Sequence, residues 1–142
     1  MSQGLVDRRL AYLVKQVQQA FRRSCEDALR PLGLSMSQYA VLRTVADVPG
    51  ASAAELARRT FVTRQSLGEV LAGLRRAGLA AVAERPSAGR TLPVMLTPEG
   101  RDLLDRAEAV VVAVEGRMTA DVSPAEVRAA VDVLGRCLKA LP

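Results

Sequence analysis

The sequence predicts a mainly α domain with a small β-hairpin, and three observations predict it. Only Tyr12, Phe21, Tyr39 and Phe61 are aromatic in 142 residues, while 49% of the chain is apolar. A core built from Ala, Leu and Val suits close-packed helices better than a sandwich of strands. Apolar residues recur at helical spacing through most of the chain. The period shortens only after Gly78, in two short apolar segments divided by the polar stretch "PSAG". The length fits one domain with a core of its own.

The elements follow in order. From Leu5 to Leu29, Leu10, Val14, Val17, Phe21, Cys25 and Ala28 mark one apolar face of a long first helix, which Pro31 and Gly33 stop. A second helix reads "SQYAVLRTVADV", with Ser37 expected as its N-cap and Tyr39, Leu42, Val45 and Ala46 near one face; Pro49 and Gly50 end it. In "SAAELARRT", Ser52 followed three residues on by Glu55 has the form of a capping box and opens a third helix. Phe61 and Val62 form a short link. Thr63 is placed to cap a fourth helix running to about Ala77, with an inward stripe of Leu67, Val70, Leu71 and Leu74 and with Gly78 closing it. "LAAVAERP" and "RTLPVMLT" read as the strands of a hairpin, Pro93 requiring an edge or a bulge. Thr97, Pro98 and Glu99 start a fifth helix with a wide apolar surface, from Leu103 to Met118. Ser123, Pro124 and Glu126 start a sixth, presenting Val127, Val131, Leu134, Leu138 and Leu141.

Composition narrows the function. There is no histidine, which removes the commonest general base and metal ligand; no catalytic residue, metal or cofactor is expected. No apolar run reaches the roughly eighteen residues of a membrane span, and "MSQGLVDRRL" lacks the plan of an export signal, so a cytoplasmic protein without a membrane partner is expected. Cys25 and Cys137 match no metal spacing and read as buried small apolar residues rather than a disulfide. The net charge of +5 is unevenly placed. Pro31 to Thr97 carries eight arginines against Asp47, Glu55, Glu69 and Glu84, whereas the remainder after it has six basic and eight acidic residues. One lobe is thus suited to a polyanion, although a solvated arginine-rich face gives the same count.

Two short helices joined by a few residues, the second amphipathic, form a helix-turn-helix. With its leucines inward, the fourth helix turns Arg64, Gln65, Gly68 and Glu69 outward near its N-terminal half, beside Thr63 and Ser66. That half enters the major groove of double-stranded DNA in this motif. There Gln and Arg pair with base edges, and Thr63, Ser37 and Ser52 at helix starts are placed to position phosphates. Gly68 costs roughly 1 kcal/mol in a helix interior; close approach to DNA or close helix packing would each explain it. A hairpin directly after a helix-turn-helix is a wing, and Arg85 and Arg90 flank its tip, either reaching the duplex or solvated. The first, fifth and sixth helices carry more apolar surface than the winged lobe needs, which calls for a second copy related by a two-fold axis.

Taken together, "RPLGLSMSQYAVLRTV", "SAAELARRTFVTRQSLGEVLAGLRRAGL" and "GRTLPVMLTPEG" resemble the MarR family of winged helix-turn-helix transcription regulators. The resemblance spans nearly the whole chain. It implies one MarR-like domain over 1–142. Within it, 5–34 and 99–142 form a helical dimerisation lobe, and 35–98 form the winged DNA-binding lobe, which takes a pseudo-palindromic operator. It also implies that a small anionic or phenolic effector, or an oxidant, relieves DNA binding from a cleft between the lobes; Tyr12, Gln16, Arg22 and Tyr39 are candidate lining residues. Ala88 stands where the family's wing often has an aspartate orienting the arginine, here Arg90. Glu69 stands where many members have arginine, and can accept from cytosine. Ala11 falls where the peroxide-sensing branch has its cysteine, so Cys25 does not inherit that role. Two other readings compete with a DNA-binding repressor: a winged-helix module that holds another protein, and a ligand or redox sensor in which DNA binding is secondary.

Overall fold

The computed structural model describes residues 9–82 and 93–142. In chain order these form α1 (Leu10–Leu29), a 3-10 turn (Arg30–Leu32), α2 (Met36–Asp47), α3 (Ala53–Thr60), α4 (Arg64–Arg76), β1 (Ala80–Val82), β2 (Val94–Leu96), α5 (Pro98–Met118) and α6 (Pro124–Ala140). The predicted class, mainly α with a small β-hairpin, is the one observed. No described helix is long and apolar enough to cross a membrane.

The helix starts are fixed locally. Thr63, Thr97 and Ser123 each sit in extended backbone and accept from the amide three residues on, satisfying a donor that the helix itself cannot. Two starts differ from the sequence reading. The cap of α2 is Ser35, not Ser37: Ser35 is the extended residue, its hydroxyl accepts from the Gln38 amide at 3.0 Å, and the Gln38 side chain accepts from the Ser35 amide at 2.9 Å. Ser37 already lies inside the helix. At α3, Ser52 caps as expected, but the reciprocal half of the box is replaced, because the Glu55 carboxylate accepts from Arg59 one turn on.

A single core joins α1, α2, α4 and α5. Cys25 and Leu29 meet Val41, Leu42, Leu67, Leu74, Leu104 and Val111, all buried. Val41 belongs to this core beside the expected Tyr39, Leu42 and Val45. α3 lies across α2 and α4 and contributes Leu56 and Ala57.

Among the described residues the hairpin is antiparallel, with Ala80 opposite Leu96 and Val82 opposite Val94. Its base is clasped to both neighbouring helices. The Thr97 amide donates to the Leu79 carbonyl at 3.1 Å, and the Thr97 hydroxyl donates to the Gly78 carbonyl at 2.6 Å. Gly78 takes φ 75° there, a left-handed conformation suited to glycine. Gly100 meets this turn so closely that an added Cβ would lie 2.0 Å from the Leu79 carbonyl oxygen. The wing therefore leaves from a rigid junction of α4 and α5. Its tip, with Arg85, Ala88 and Arg90, lies outside the described residues.

Candidate nucleic-acid interface

The surface in question begins at α4. Its first turn is set by Thr63, whose hydroxyl accepts from the Ser66 amide at 3.0 Å. Leu67 and Leu74 are buried beneath the helix, and Thr63, Arg64, Gln65, Ser66 and Glu69 are all exposed above it. No side-chain hydrogen bond within the described residues occupies Arg64, Gln65 or Glu69. Gly68 lies in the same exposed row, with nothing within 4 Å of where a Cβ would stand. Close helix packing is therefore not what keeps it a glycine. The result is an open tip with free donors and acceptors, one short residue in its middle, and the positive end of a helix behind it.

Ser52 lies half-buried at the start of α3, its hydroxyl already accepting from Glu55. Arg58 and Arg59 are exposed on that helix, and Arg75 and Arg76 at the far end of α4. Ser37 is engaged elsewhere: its Oγ accepts from Arg22 Nη2 of α1 at 3.1 Å.

A second polar site lies where α2 meets α5. The buried Tyr39 hydroxyl donates to Glu108 Oε2 at 2.6 Å, and Arg43 Nη1 donates to the same oxygen at 3.2 Å. Burial and then the bond to Glu108 push the Tyr39 phenol well above its ordinary pKa, so it stays protonated and donating. A hydrogen bond from a buried phenol to a carboxylate contributes about 1.5–3 kcal/mol. Arg43 is turned by Asp47, to which its Nε donates at 3.1 Å, and this bond holds the Asp47 carboxyl below its ordinary pKa. That ion pair is exposed and contributes about 0–1 kcal/mol.

The four candidate ligand residues do not converge. Tyr12, Gln16 and Arg22 are exposed on α1, Arg22 being tied to Ser37, and Tyr39 is committed to Glu108. A groove of about 380 Å³ between α1 and α5 has apolar walls including Phe21, Val114 and Met118, with Ser24 and Arg117 as its polar groups. Periodicity marks Phe21, Val114 and Met118 only as core, and nothing in the spacing of Ser24 and Arg117 pairs them. Cys25 is buried and its thiol pKa is raised by burial, as its apolar face suggested. Cys137 is exposed, contrary to expectation, because no described part of this chain buries any residue of its helix.

A second opening, of about 400 Å³, runs between α1 and α6 and is almost wholly apolar, with Leu10, Val14, Val17, Val133 and Leu134 among its walls. Leu10 is 55% exposed, Val131 66% and Leu138 77%, an apolar surface that the other described residues leave uncovered.

With this geometry in view, comparison with known proteins gives a consistent result. A sequence profile described as MarR family matches residues 32–91. The HTH-type transcriptional repressor Rv2887 of Mycobacterium tuberculosis is 42% identical over 122 residues, spanning 86% of this chain and 88% of that protein. The structure of Rv2887 in complex with salicylic acid superposes with a TM-score of 0.77 at 40% identity, covering 92% of this chain and 97% of that one. Its complex with DNA superposes with a TM-score of 0.75 at 38% identity, covering 92% and 98%. The open tip of α4, the clasped hairpin behind it and an identity sustained across both establish that this chain belongs to the MarR family of transcription regulators.

Proposed function

We propose that the protein is a sequence-specific, double-stranded DNA-binding transcriptional repressor of the cytoplasm, acting as a homodimer whose grip is released by a small phenolic carboxylate. It is a regulator and not an enzyme. The observation that carries the reading is the exposed row Arg64, Gln65, Ser66 and Glu69 above the buried Leu67 and Leu74. In this reading Gln65, Arg64, Ser66 and Glu69 face base edges. Thr63 and Ser52 position phosphates from helix starts, and Arg85 and Arg90 carry the wing; Ser37, which lies inside α2 and accepts from Arg22, has no such part. Residues 35–98 form the DNA-binding lobe, and 5–34 with 99–142 the dimerisation lobe, whose exposed apolar faces on α1 and α6 meet a second copy.

Relatives support the two remaining parts. Rv2887 has structures with DNA, with salicylic acid and with p-aminosalicylic acid. In this chain the α1–α5 groove has apolar walls for an aromatic ring and the Arg117 guanidinium for a carboxylate, and Ser24 also lines it. The test is selection of bound fragments from random duplexes by the purified protein, then a mobility shift on the selected sequence with and without salicylate. Recovery of a palindromic site whose complex salicylate dissolves supports the reading. Selection of no sequence contradicts it.

A further inference from the structure

We propose that Glu108 of α5 is the pivot of a polar latch that fixes the angle of the DNA-binding helices against the dimerisation lobe, and so governs whether both recognition helices of a dimer reach one operator together. The proposal rests on the dimeric DNA-binding reading above.

The residues fall on one line. Tyr39, Arg43 and Asp47 are spaced by four and lie on one stripe of α2 facing α5. A single oxygen, Glu108 Oε2, takes both the phenol at 2.6 Å and the guanidinium at 3.2 Å. The phenol is the fixed end, since Tyr39 is buried and its ring is packed in the core. The guanidinium is the accessible end, oriented by Asp47 and close to solvent. Among the described residues these are the side-chain hydrogen bonds that join α2 to α5.

The other end of α2 is tied to α1. Glu26 Oε1 accepts from the Met36 amide at 3.1 Å, beside the bond from Arg22 to Ser37. The adjoining face of α2 carries α4, through Leu42 in the core with Leu67 and Leu74 and through Gln38, whose side-chain nitrogen stands 4.0 Å from the Cβ position of Gly73. A rotation of α2 therefore carries the recognition helix with it. The close packing of Val41 and Leu42 sets how near α2 lies to its neighbours. The two bonds to the shared Glu108 oxygen, at 2.6 and 3.2 Å, add a directional restraint, since each weakens steeply once its angle falls below about 120°. Small angular changes matter because two recognition helices must match half-sites about one DNA turn apart.

The experiment compares affinity for a palindromic duplex with affinity for a duplex carrying one half-site, in the wild-type protein, Glu108→Ala, Glu108→Gln and the control Glu115→Ala. Glu108→Ala should lower the ratio of palindrome to half-site affinity by at least about fivefold, with half-site binding unchanged within about twofold. Glu108→Gln keeps an acceptor for the phenol and should restore part of the ratio, while Glu115→Ala should leave it unchanged. An unchanged or raised ratio in Glu108→Ala, or equal losses on both duplexes, overturns the latch. Should Glu108→Ala unfold, Glu108→Gln carries the same comparison. A wild-type protein that binds neither duplex overturns the DNA-binding reading itself, which separates the two failures.

Discussion

Helices α4 and α6 are built from the same instructions and end differently. Each starts at a hydroxyl cap, Thr63 or Ser123, and each has an apolar stripe at helical spacing. In α4 the stripe is buried through Leu67 and Leu74 and the polar row is left free. In α6 no residue is buried, Val131 and Leu138 are 66% and 77% exposed, and the helix packs closely against no other described element. Caps and periodicity decide that a helix forms and which stripe is apolar. What covers the stripe is decided by residues distant in the chain, or in another chain.

The largest way to break this comparison is to spoil the stripe of α6. Leu134→Asp should leave the protein monomeric by sedimentation, because each subunit loses about 1.5–3 kcal/mol of leucine burial and two-fold symmetry applies the loss twice. An unaltered assembly would show that α6 is not the covering face. In the winged lobe the corresponding weak point is Gly100. Gly100→Ala puts a carbon 2.0 Å from the Leu79 carbonyl oxygen, so the hairpin base or α5 must shift. A loss of about 1–3 kcal/mol in denaturant unfolding is expected, and wild-type stability would mean the junction yields freely.

Smaller effects test the free row of α4. Gln65→Ala should cost ~1–3 kcal/mol at selected base pairs while leaving random duplex binding intact; equal losses on both would move Gln65 from reading bases to general contact. Smallest is Phe61, which closes α3 at φ 58° with 95% of its side chain exposed. A left-handed backbone costs a side-chain-bearing residue about 1 kcal/mol, and no burial offsets it. Phe61→Gly should raise the unfolding midpoint, and a lowered midpoint would show that the ring is held by contacts in the folded protein.

How much of this is legible in the sequence depends on range. The caps at Ser52, Thr63, Thr97 and Ser123 were readable because cap and amide are three residues apart. The α2 cap falls two residues before the expected Ser37, because Ser35 and Ser37 are both hydroxyls at the helix start and only Ser35 has Gln38 three residues on to complete a box. The exposed tip of α4 follows from its stripe alone. The Glu108 junction does not, since its partners lie 65 and 69 residues away and no spacing rule links them. Cys137 was misjudged for the same reason as α6, an apolar neighbourhood in sequence being no proof of burial within one chain.

The claim on which the account turns is that two copies of the Thr63 tip occupy one duplex at once. Hydroxyl-radical footprinting of the selected duplex, bound by the purified protein, measures this directly. The account predicts two protected patches on one face of the DNA, with centres about one helical turn, ~34 Å, apart. A single protected patch, or protection that ignores sequence, would contradict it.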